Sequence, residues 1–146
     1  MLNLRLVLRN TVLGNRVKRV QKSTKKKWYD IADEEVAAVR ASLPPAIRET
    51  LRGLAVTLDP YPTPDEELQE GDDEGLLGLF VGACFGEELA SNDPMPPAIR
   101  LFVENLRDEA EDDPARFRQE VRITLLHEIG HYLGWDEDEL EERGLA

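Results

Sequence analysis

The sequence predicts an α+β domain built around a single core, and three observations carry that expectation. Its 146 residues, 41% hydrophobic and 33% charged, suffice for one core and little more. Short apolar runs bounded by Gly, Pro and Asp read as strands, and they alternate with segments whose apolar residues recur three and four apart. One long helical segment carries stop signals at both ends, Asp113-Pro114 before it and Gly134 after it.

The first element expected is a helix from Asp30 through Ile31, Val36, Val39 and Leu43, stopped by Pro44-Pro45. Asp33, Glu34 and Glu35 stand in its early turns, where the helix dipole favours acids. After the break at Gly53, Leu54–Leu58 alternates as a strand closed by Asp59-Pro60. Residues 60–75 hold three prolines and seven acids and read as an exposed acidic loop; they lack the alternating acids and glycine of a calcium loop. Leu76–Val81 reads as a buried strand, and Gly82 and Gly86 frame Ala83-Cys84-Phe85 as a turn with a second short strand. The stretch GLLGLFVG opens no helix, so it is not a phosphate loop. After the loop at 92–97, Ala98–Val103 forms a further strand, a helix begins near Asn105, and the long helix runs from Pro114 to about Leu133.

Charge divides the chain. Residues 1–27 hold nine bases and no acid, leaving nine bases against thirty acids beyond them, so a +9 segment precedes a −21 body. We therefore read residues 1–29 as a basic N-terminal extension and 30–146 as the folded domain. The extension suits a frayed solvated arm, an amphipathic segment, contact with an anionic surface, or pairing with the acidic body. Phosphates are repelled by that body, so nucleic acid is not expected as its ligand, and basic peptides or proteins are favoured. The single cysteine, Cys84, allows no internal disulfide, and nothing resembles a secretory signal or a membrane span, so a cytoplasmic protein is expected.

The chemistry-bearing motif is His127-Glu128-Ile129-Gly130-His131. These are the only two histidines of the chain, set four residues apart. On a helix that is about 400° of rotation, so both imidazoles leave one face a turn apart and can bind one zinc ion. Glu128 stands on the adjoining flank, placed for general base catalysis on a metal-activated water. A catalytic zinc takes a third protein ligand and keeps an open position. The spacing H-E-x-x-H-x-x-G-x-x-H counts ten residues from His127 to Glu137, with Asp138 and then Asp136 as alternatives. No methionine follows the motif, which excludes a Met-turn. Tyr61, Tyr132 and the arginines are the available candidates for stabilising an oxyanion.

The run HEIGHYLGWDEDEL resembles the small bacterial zincin-like metallopeptidases, the minimal zincins, with looser similarity in DEEVAAVRASLPP, GLLGLFVG and PPAIRLFVENL. That resemblance implies a small curved mixed sheet packed on the helix that carries H-E-x-x-H. It also implies a zinc ion held by His127, His131 and an acidic residue after Gly134, with Glu128 as catalytic base. The function expected is a zinc-dependent metallopeptidase whose peptide substrate pairs with an edge strand, either Leu76–Val81 or Ala98–Val103. The alternative is a metal-stabilised binding or regulatory module, which Glu128 argues against because a purely structural site needs no carboxylate there.

Overall fold

The computed structural model describes residues 24–70, 75–87 and 95–144, leaving aside the side chains of 68–70 and 137. Helix α1 spans 24–42, followed by α2 (Pro45–Thr50), a single 3-10 turn (Leu51–Gly53), β1 (Ala55–Asp59) and α3 (Pro64–Glu70). Then come β2 (Gly78–Val81), β3 (Ala98–Phe102), α4 (Val103–Glu109), α5 (Pro114–Tyr132) and α6 (Glu137–Glu142). The expected α+β class holds, with a small mixed sheet of order β1-β3-β2. Strand β1 runs parallel to β3 with Val56 opposite Ile99, and β2 runs antiparallel to β3 with Phe80 opposite Ile99.

Side chains alternate across a strand. Ile99 and Leu101 of β3 turn inward and are fully buried, whereas Arg100 between them faces the other side. There its guanidinium binds Asp59 at 3.1 Å and Glu66 of α3, which gives a polar residue of the central strand two carboxylate partners. Beneath the apolar face, α5 contributes Phe117, Val121, Leu125 and Ile129 to a core shared with Val39 of α1, Leu43 just after it and Leu106 of α4. Gly78 of β2 lets the sheet meet α5 closely, because a Cβ there would stand 2.6 Å from Thr124 Cγ2.

Several expectations change. Helix α1 does not begin at Asp30: it already includes 24–29, and Trp28 is 4% exposed within the core. Residues 1–23 of the basic extension lie outside the described residues. The segment expected to be wholly an acidic loop contains α3. Thr63 starts it, its N–H donating to Glu66 Oε2 at 2.7 Å while Glu66 N–H donates back to Thr63 Oγ1 at 3.3 Å. That reciprocal pair is a capping box, and Asp65, Glu66 and Glu67 sit where the dipole stabilises them. Thr63→Ala is expected to lower stability by about 1 kcal/mol, read as a lower urea midpoint at unchanged slope. Ala83-Cys84-Phe85 forms no strand; it turns against the end of α5 instead. Strand β3 is central and paired on both sides, which removes Ala98–Val103 as an edge and, among the described residues, leaves β2 on the edge next to α5.

Helix α5 begins and ends as its sequence directs. The Asp113 carboxylate accepts from Arg116 N–H at 2.9 Å, with Pro114 in the first turn. At the other end Trp135 N–H donates to Gly130 O at 2.9 Å and Gly134 N–H to His131 O at 3.0 Å. These two bonds make a Schellman motif, and Gly134 takes the left-handed conformation it requires, at φ 74°. The chain reverses there and enters α6. No helix among the described residues is long and apolar enough to cross a membrane.

Candidate metal centre

Two turns of α5 and the edge of the sheet form the site. His127 and His131 stand one turn apart, their Nε2 atoms 2.9 Å apart and their rings nearly perpendicular at 83°. Two nitrogens on one tetrahedral ion, each bound at about 2.0–2.1 Å, lie roughly 3.3 Å from each other. The imidazoles therefore converge within a few tenths of an ångström of the separation one ion needs. The ligand atoms of His127, Glu128 and His131 all lie within 4.8 Å of one another. His131 is exposed, His127 half-buried and Glu128 buried, so the cluster opens to solvent on one side.

Glu128 is held by the sheet. Its Oε2 accepts the backbone N–H of Phe80 at 2.9 Å. In an antiparallel pair, residues alternate between bonding the partner strand and facing away. Phe102 N–H donates to Leu77 O, so the Leu77 register bonds inward and Phe80, three residues on, directs its amide out of the β2 edge. That outward amide meets the carboxylate, fixing Glu128 between its helix and the strand.

Beyond β2 the chain follows the end of α5. Cys84 Sγ lies 3.4 Å from His131 O, and Phe85 N–H donates to Tyr132 O at 2.7 Å. The Tyr132 ring packs between Phe80 and Phe85, with centroids at 5.7 and 5.9 Å, and is 3% exposed. The Tyr132 ring is thus part of the aromatic packing beside the site, and Tyr61 follows β1, on the opposite edge of the sheet from β2.

The acids after Gly134 divide by role. Asp136 caps α6: it accepts Glu139 N–H at 2.9 Å, and Glu139 Oε2 accepts Asp136 N–H at 3.0 Å. Asp136 and Glu139 are thereby occupied with the helix start. Asp138 is exposed. Glu137 is the first residue of α6, immediately after the cap, and its side chain lies outside the described residues. Sequence reasoning missed α6 and the Phe80 amide. The first was signalled by the D-x-x-E pattern of Asp136–Glu139; the second comes only from tertiary packing.

A helix-borne H-E-x-x-H beside the edge of a small mixed sheet defines a protein of the zincin type. The family of zincin-like metallopeptidases matches residues 51–145, from the 3-10 turn through α6, and this chain belongs to it. No curated protein matches the chain. The donor set fits the metal the family implies: two imidazole nitrogens, ligands suited to zinc, converge on one face, with the Glu128 carboxylate within 4.8 Å of them.

Proposed function

We propose that the protein is a zinc-dependent peptidase in which His127, His131 and Glu137 hold the metal and Glu128 is the general base. The convergence of the two imidazoles beside a buried carboxylate supports this reading most directly. When bound, zinc supplies a Lewis acid that polarises a scissile carbonyl and acidifies water. Glu128 takes the proton of the attacking water and passes it to the leaving amine, and the Phe80 amide orients the carboxylate for that work. The substrate backbone lies beside the β2 edge, next to Glu128, whose hold on the Phe80 amide leaves the other outward groups of β2 for pairing. The chain's formal charge of −12 favours basic peptides as substrates.

Elemental analysis of the purified protein with a peptide-library cleavage screen tests this proposal. We expect about one zinc per chain, cleavage abolished by a chelator and restored by zinc, and both zinc and cleavage lost in His127→Ala. A protein with no metal, whose properties are indifferent to chelation, would overturn the proposal. Zinc without cleavage of any library peptide would assign the site instead to a metal-stabilised binding module.

A further inference from the structure

Within the metal-binding motif lies a residue that is neither ligand nor base. Gly130 is buried, and a Cβ there would stand 2.3 Å from Leu140 Cδ2 and 3.0 Å from its Cδ1 and Cγ. Leu140 is fully buried, the one described residue of α6 to be so. It seats α6 on α5 at the level of the two histidines. The seating is reinforced at the turn, where Trp135 N–H bonds Gly130 O, and at the cap, where Leu140 N–H bonds Asp136 O at 3.0 Å. Positions 137 and 140 are three apart, one turn along the same side of α6. The depth to which Leu140 sinks onto Gly130 therefore sets how closely the start of α6 approaches the histidines.

From this contact we infer that Gly130 and Leu140 form a size-matched lock, making Gly130 a positioning residue for metal binding through position 137. The inference rests on the peptidase reading and on Glu137 as third ligand. A methyl group at 130 must displace the Leu140 side chain, and because that side chain is fully buried and has no open space to swing into, α6 moves with it. Helix propensity alone points the other way: Ala is the better former in a helix interior, so Gly130→Ala would strengthen α5 if local preference were all that mattered.

The test is zinc affinity, measured by competition with a chromophoric chelator, for the full chain and for Gly130→Ala, Leu140→Ala, Glu137→Ala and their pairwise combinations. Gly130→Ala is expected to weaken zinc about 10- to 100-fold, the range typical of residues that orient metal ligands. Leu140→Ala, which removes the knob without adding bulk to α5, is expected to weaken it as well and serves if Gly130→Ala does not fold. In a Leu140→Ala background Gly130→Ala should add no further loss, and in a Glu137→Ala background neither substitution should. Undiminished affinity in Gly130→Ala, or losses that add in full to that of Glu137→Ala, would overturn the lock. A full chain that binds no zinc would instead overturn the peptidase reading on which it rests.

Discussion

Glu128→Gln is expected to keep its zinc and lose about 10²- to 10⁴-fold in kcat/KM on the best library peptide, the span that a positioned general base contributes. Glutamine has nearly the same volume, and its amide oxygen can accept the Phe80 N–H that the carboxylate accepts at 2.9 Å. Fold and metal site are thus preserved while the basic carboxylate is replaced by a non-basic amide. His127 and His131 lie on the neighbouring face and keep their 2.9 Å separation. The experiment reads three quantities together: zinc per chain, melting temperature and turnover. Zinc and melting temperature near those of the parent with turnover collapsed would identify Glu128 as the base. Turnover within a few-fold of the parent would sink that assignment and leave the carboxylate as a structural tie between α5 and β2.

What could be read from the sequence was local. The two histidines, the glutamate between them, the Asp113 cap and the Gly134 stop depend on spacings of one helical turn, and each stands where its spacing placed it. Strand order was not local. Ala98–Val103 alternates apolar residues with Arg100, the pattern of a half-exposed edge, yet it is the middle strand, because Asp59 and Glu66 come from distant segments to neutralise that arginine. The acidic runs misled for another reason. Helices α3 and α6 have few apolar positions to reveal a period, so their acidic composition hid both, although Thr63 and Asp136 each stand three residues before a glutamate in a capping box. Ala83-Cys84-Phe85 looked like a short strand because it is apolar; its backbone bonds to the end of α5 instead.

The start of the domain was hidden in the same way, by charge. Lys25, Lys26 and Lys27 made the chain before Asp30 look like part of a basic arm, yet they lead directly into a buried tryptophan. Trp28 meets Phe117 of α5 edge to face, centroids 4.9 Å apart at 70°, with the Arg107 guanidinium 5.5 Å from its ring. Helix α1 precedes the part of the chain matched by the family, and Trp28 is nevertheless wedged into the same core. Trp28→Ala is therefore expected to destabilise the protein by about 3–5 kcal/mol, seen as a lower urea midpoint at unchanged slope. Trp28→Phe is expected to lose much less, since the indole Nε1 is buried without a hydrogen-bond partner among the described residues and its removal relieves that unsatisfied donor. Phe117 stands ten residues before His127, about 15 Å along the helix, so zinc affinity below the melting transition should not change with either substitution. A loss under about 1 kcal/mol for Trp28→Ala, well below the usual range for a buried tryptophan, would mean that α1 does not belong to the cooperative core. A loss of zinc affinity in the folded protein would mean that the core beneath the first turn of α5 also sets the spacing of its histidines.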